Sequence, residues 1–231
     1  MVCIIHLRTC VLQLVLCFFF FQAEDGIRYL VRSRGLGDVY KRQAIEESEE
    51  DQVRRMFEIN FFGLNAVTTE VLPHLRKQRS GHIINISSVG GSVAFPGVGM
   101  YNATKFAVTG YSESLAKELA PLGIKVTVIA PSGFRTDWAG RSANNSKIEI
   151  EDYKATAHTN QDAIRGNSGV QPGDPVRAAQ AIIKIVETEA APVRLFLGAG
   201  ALKGIRNKMA EMQNDIDAWE ETTLWADNPP S

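Results

Sequence analysis

At 231 residues, 45% of them hydrophobic, the chain suits one sizeable core and is short for two. Its 25 basic and 26 acidic residues are well mixed and leave a formal net charge of -1, which gives no electrostatic footprint for nucleic acid or a membrane surface and favours a small neutral or polar partner. Cys3, Cys10 and Cys17 are the only cysteines, so nothing beyond them can rely on a disulfide, a Cys-based metal site or a Cys nucleophile, and no metal is expected.

Met1 to Phe21 is rich in Leu, Val, Cys and Phe. Arg8 interrupts the apolar run, however, and what remains is short of the ~20 residues of a spanning helix. No small-residue cleavage site follows. A membrane role is therefore not expected, and a cytoplasmic protein is. Gln22 to Gln43 carries charges without helix or strand periodicity. Its phrases Gln-Ala-Glu-Asp-Gly-Ile-Arg and Gly-Leu-Gly-Asp-Val-Tyr-Lys-Arg-Gln resemble translated sequencing-adapter sequence. Residues 1-43 are accordingly expected to be a leader unrelated to the remainder, artefactual or disordered, and 44-231 to carry the fold.

From Ala44 the pattern becomes α/β. Ser48-Glu49-Glu50-Asp51 matches a capping box, so a helix is predicted over 48-79 with Val53, Met56, Phe57, Leu64 and Val67 on its apolar stripe. Asn60 falls on that stripe, and a buried amide needs partners; structural glue is the better reading of it alone. Pro73 is expected to kink or end the helix, and Arg79-Ser80-Gly81 to turn. His82 to Val89 reads as a parallel strand buried on both faces, with Ser87 and Ser88 at its carboxyl end, where open α/β sheets bind ligands. His82 and His74 are expected at the surface. A helix from Tyr101 to Leu119 and a second buried strand, Ile124 to Ala130, complete a right-handed crossover. Asp137 to Val170 is polar and weakly periodic, a length typical of a functional lid. Asp174 then N-caps a helix that begins at Pro175 and runs to about Thr188. Val193 to Leu197 is a third strand, and Leu202, Ile205, Met209, Met212, Ile216 and Trp219 stripe a final amphipathic helix.

Tyr101-Asn102-Ala103-Thr104-Lys105 carries the chemistry. Tyr and Lys four apart share one helix face, where an ammonium favours phenolate over phenol. A free phenol titrates near pH ~10, so a tyrosine acid/base needs that help. Any single Tyr-x-x-x-Lys is more commonly a solvated face, and Ser88 alone could simply end a strand. Taken together, Ser88, Tyr101 thirteen residues on, Lys105 and the turn Pro131-Ser132-Gly133-Phe134-Arg135-Thr136 after the next strand resemble the short-chain dehydrogenase/reductase family over Ala44 to the C-terminal helix.

The resemblance implies a Rossmann-like parallel sheet with flanking helices and an NAD(P)-dependent oxidoreductase that interconverts a carbonyl and an alcohol. Tyr101 would be the acid or base, Lys105 would lower its pKa and hold the nicotinamide ribose, and Ser88 would hold the substrate oxygen. Asn60, in Asn60-Phe61-Phe62-Gly63, matches the family's fourth catalytic position and would support a proton-relaying water. Pro131, Ser132, Gly133 and Thr136, with Tyr101 and Lys105, would contact NAD or NADP, and the stretch from Asp137 would cover a small-molecule substrate. Ser132 and Phe134 depart from the family's usual glycine and smaller aliphatic residue.

The resemblance also implies cofactor-binding strands before residue 44, and the sequence there carries none of their signals. Gly198-Ala199-Gly200 follows a strand, but the next glycine falls one residue late for a dinucleotide fingerprint and no strand follows it. The expectation is an N-terminally truncated member with impaired activity. Its alternative is a non-catalytic fragment that pairs with an intact relative through helices 48-79 and 101-119, the same faces that would make a homo-oligomer.

Overall fold

The computed structural model describes residues 3-6, 40-136, 143-145 and 148-228. The core is an α/β sandwich built around strand β3 (Gly81–Ile86), helix α3 (Gly99–Leu119) and strand β4 (Ile124–Pro131), the crossover that the two apolar runs and the intervening helical period dictate. Counted from the N-terminus, β1 is Cys3–His6, β2 is Tyr40–Arg42, α1 is Glu50–Phe57 and α2 is Gly63–Gln78. Beyond β4 follow β5 (Ala143–Asn145), α4 (Thr159–Gly166), α5 (Pro175–Glu187), β6 (Arg194–Leu197) and α6 (Ala199–Trp225).

The main sheet has the order β1-β3-β4-β6. β3, β4 and β6 are parallel, with Ile83 opposite Val126 and Ile129 opposite Leu195. Both faces are covered, which is why β3 and β4 read as unbroken apolar runs rather than alternating ones. On one face Leu75, Ile83, Leu115, Leu119, Ile124 and Val126 lock α2 and α3 to the sheet. On the other, Ile84 and Ile129 meet Ile185 of α5. Asp174 caps α5 as expected, its carboxylate accepting from Val176 N at 2.8 Å and Arg177 N at 3.4 Å.

Several sequence expectations need correction. The first helix begins at Glu50, its N-cap is Glu49, and no side chain caps it; Ser48 Oγ instead donates to Ala44 O at 3.1 Å, because the chain turns back on itself there. Pro73 neither ends that helix nor stops Leu75 from packing; it sits on the exposed face, where the missing N–H is tolerated, and α2 runs on to Gln78. His82 is fully buried, with Nε2 2.9 Å from Thr127 Oγ1 on the neighbouring strand. Two strands fall in the stretch read as structureless: β1 pairs antiparallel with β3, and β2 pairs parallel with β5. Edge pairing uses backbone groups alone, so side-chain periodicity does not announce it. The long polar stretch is no plain loop either, since a 3-10 turn (Glu151–Tyr153), a π turn (Lys154–His158) and α4 fold within it. Most of Met1 to Phe21 lies outside the described residues. Among those described, no helix is long and apolar enough to cross a membrane.

Candidate active site

Beyond the carboxyl end of β3 the chain tightens into a 3-10 turn, Val89–Gly91, whose N-cap is Ser88; its hydroxyl accepts from Gly90 N at 3.0 Å. This turn packs against the first turns of α3. Gly91 lies so close to them that a Cβ there would stand 2.6 Å from the carbonyl oxygen of Lys105. Ser87 Oγ donates to that same carbonyl at 2.9 Å and lies 2.9 Å from Thr109 Oγ1. The strand end and the helix are thereby fixed to one another by backbone contact and by a serine.

Tyr101 and Lys105 are 5% and 1% exposed. The Lys105 ammonium lies 5.7 Å from the centroid of the Tyr101 ring and donates to Ile86 O at 3.3 Å. A charge that deeply buried is tolerated only with partners, and the last carbonyl of β3 is one. Asn60 sits at the centre of a π-helical segment, Glu58–Phe62, between α1 and α2. It is 1% exposed, and its Nδ2 donates to Thr104 Oγ1 at 3.1 Å. Thr104 Oγ1 donates in turn to Tyr101 O at 2.8 Å. Asn60 therefore braces the helical turn that carries Tyr101, from below.

A cavity of about 390 Å³ opens above this cluster, and Ser88, Tyr101, Ser132 and Gly133 line it together. Lys105 and Asn60 lie behind that wall. Pro131 ends β4, paired with Leu197 of β6, and neither it nor Thr136 is part of the lining. The turn that follows β4 is held by a β-bridge from Phe134 to Gly173, with Gly173 N donating to Gly133 O at 3.1 Å and Arg135 N to Gly173 O at 3.0 Å. Gly90 and Gly133 present no side chain to the cavity, and a Cβ at Gly90 would come within 2.8 Å of Asn102 Oδ1. A flat wall of that kind fits a planar ring such as nicotinamide, with Ser132 at its border. Among the described residues, the strand–glycine–helix turn at Gly198 faces Ser132 and Phe134.

The far wall comes from the 148-170 stretch, which contributes Asn160, Ile164, Asn167 and Val170. Sequence reasoning missed what holds it down. Glu47 is 1% exposed; its Oε1 accepts from Ile150 N and from His158 Nε2, each at 2.8 Å, and its Oε2 accepts from Ala44 N at 2.8 Å. Burial by itself pushes this carboxyl up, but the two backbone N–H groups and His158 outweigh it and hold it below its ordinary value. Asn160 Nδ2 adds a bond to Pro96 O at 2.8 Å. Gly97, at φ 75°, lets the two backbones meet, since a Cβ there would lie 2.5 Å from Ala157 O. A buried acid paired with a histidine 111 positions away has no local signature; only Glu47's place beside an apolar helix start could have hinted at it.

The comparisons agree with this architecture. The family profile described as short chain dehydrogenase matches residues 21–147, a span that reaches back into the stretch read as an unrelated leader. The chain is 38% identical to "Oxidoreductase BOA17" of Botryotinia fuckeliana over 78% of its own length and 66% of that protein's. It thus spans slightly under two thirds of this curated relative. A crystal structure of a short-chain dehydrogenase from Streptomyces avermitilis superposes with a TM-score of 0.75 at 37% identity, covering 81% of this chain and 68% of that one. A short chain dehydrogenase/reductase from Burkholderia phymatum, in complex with NAD, shares the fold at a TM-score of 0.61 and 20% identity, with 77% and 65% covered. With the crossover, the Tyr101–Lys105 pair and the profile over more than half its length in agreement, the chain belongs to the short-chain dehydrogenase/reductase family of oxidoreductases.

Proposed function

We propose that this chain carries the acid/base centre of an NAD(P)-dependent oxidoreductase that interconverts a carbonyl and an alcohol, with Asn60, Ser88, Tyr101 and Lys105 as its working residues. The observation that carries the reading is that Ser88 and Tyr101 share one cavity wall while the Lys105 ammonium lies buried behind the phenol ring. In reduction, the Tyr101 O–H donates its proton to the carbonyl oxygen as that oxygen gains charge. The Ser88 hydroxyl donates a hydrogen bond to the same atom and stabilises the developing alkoxide. Lys105 favours the anion left on Tyr101 once the proton has gone. Asn60 acts as a positioning residue, through Thr104, on the backbone of Tyr101. In the oxidative direction the same protons run backwards. A bound nicotinamide supplies or accepts the hydride, which no side chain can do.

Ser132, Gly133 and Lys105 are the residues that would hold its nicotinamide-ribose end. The likeness to an NAD complex at 20% identity does not choose between NAD and NADP. Phe95, Val98, Ile164 and Val170 set against Asn160, Asn167 and Gln171 suit a small substrate with an apolar body and a polar end. Because the sequence before residue 44 carries none of the cofactor-strand signals, weak cofactor binding and slow turnover are expected of this chain. Two measurements test this. Fluorescence titration with NADPH and NADH should give affinities weaker than micromolar, and a micromolar value for either would sink the impairment. Reduction of an aldehyde and ketone panel at saturating cofactor should fall by a factor of ~100 to 10,000 in Tyr101→Phe; an unchanged rate would remove Tyr101 from the chemistry.

A second reading, a non-catalytic chain that pairs with an intact relative, draws on Phe62 and Phe106. These stand 50% and 43% exposed on the helices at 48-79 and 101-119. Capture of a full-length relative by the Tyr101→Phe chain would favour it.

A further inference from the structure

We propose that two copies of this chain pair antiparallel through helix α6. Among the described residues the helix meets the body over its first turns, where Ala201 is buried and Gly204, Ile205 and Lys208 are half-buried; a Cβ at Gly204 would lie 3.6 Å from Val89 and 3.7 Å from Val93. From Met209 to Asn228 every residue is exposed. The stretch from Met209 to Trp225 is ~25 Å of helix at 1.5 Å per residue, and a lone helix of that length is marginal in water unless one face is buried. The face to bury is present. Leu202, Ile205, Met209, Met212, Ile216 and Trp219 recur at alternating intervals of three and four, the seam of a two-helix coiled coil. Met209, Met212, Ile216 and Trp219 are 50% to 64% exposed.

Charge selects the occupant and its direction. Lys203, Arg206 and Lys208 lie in the first part of α6, and Glu211, Asp215, Asp217, Glu220 and Glu221 in the rest. A parallel pair would set acid beside acid, with Asp215 flanking Glu220 of the second copy. An antiparallel pair sets the basic start against the acidic end. With Met209 against Trp219 of the second copy and Met212 against its Ile216, Arg206 and Glu220 flank the same layers and meet once on each side of the two-fold axis. Only Asp215 then meets its own kind, at the wet rim. The acidic half also argues against an anionic lipid surface as the occupant.

Sedimentation equilibrium of the full chain tests the pairing. The wild type should be a dimer, and Ile216→Glu should be monomeric, with helical ellipticity lowered by no more than fraying of residues 209-225 accounts for and the cooperative melt of the body retained. Arg206→Glu and Glu220→Arg, both at exposed positions, should each weaken association about tenfold, and the double variant should return it to within about twofold of wild type. A wild type that stays monomeric at ~100 µM overturns the proposal. So does a dimer that survives Ile216→Glu, which would place pairing on other helices or on the N-terminal segment. Failure of the charge swap to restore binding rejects the antiparallel direction and with it the proposal, as does a monomer recruited to anionic vesicles.

Discussion

The carboxylate of Glu47 and the imidazole of His158 meet at 2.8 Å across 111 positions of sequence, and the same carboxylate oxygen receives Ile150 N. One buried acid thus holds the segment that forms the far wall of the cavity. Because its pKa is depressed in the folded chain, the sign of the pH effect is fixed. Its stabilisation is present in full above the ordinary glutamate range and is lost as pH falls through the depressed value. Urea unfolding should show this contribution at pH 7 and its loss in strong acid. Glu47→Gln should cost ~1–3 kcal/mol at pH 7, the penalty of a weakened buried acceptor, and should flatten the acid limb. An unchanged acid limb in the variant would discount the role.

Gly91 separates two backbones that Ala would force apart. A Cβ would stand 2.6 Å from Lys105 O and 2.8 Å from Lys105 C, and neither atom can rotate away. Gly91→Ala is expected to destabilise by ~1–3 kcal/mol and to lower activity beyond that loss, since the displaced atoms belong to Lys105. Thermal melts alongside initial rates will tell: a melt and a rate both like wild type would refute it.

Asn60→Ala removes the donor to Thr104 while leaving Tyr101 and Lys105 in place. A buried hydroxyl that loses a partner costs ~1–3 kcal/mol. For a positioning residue, kcat should fall with KM little changed, and the pH dependence of kcat should move. A stability loss with an unmoved pH profile would mean that Asn60 is structural only.

Asp174→Ala should cost ~1 kcal/mol through the loss of the bonds from Val176 N and Arg177 N, whereas Asp174→Asn should be close to neutral. Urea midpoints read both. Equal losses in the two variants would point to charge rather than capping.

The cavity wall at Ser88 and Tyr101 was legible in the sequence because it is local. Tyr101 and Lys105 share a helix face, Ser88 ends an apolar run, and Asp174-Pro175 announces a helix by chemistry that needs no tertiary partner. The strands β3, β4 and β6 follow from the same kind of signal. What escaped was set by distant partners. His82 is buried because Thr127 stands beside it on the next strand. The stretch after residue 148 folds because Glu47 and Pro96 hold it. β1 and β2 pair through backbone, which sequence periodicity does not record. The site lies at the boundary between these cases, since Asn60 could be placed on a buried stripe but not, without Thr104, in reach of Tyr101.

The π-helical segment at Glu58–Phe62 lies within an otherwise α-helical run from Glu50 to Gln78. Such a segment widens each hydrogen-bonded ring by one residue relative to the α form. Removing one residue from it would therefore let the helix close as plain α and keep Met56 and Leu64 in the core, while Asn60 lost its aim at Thr104. The fold and the Asn60–Thr104 contact are thus separable here by a single-codon deletion. Chains that have undergone it would keep the shape of this family and lose the brace on the turn that carries Tyr101.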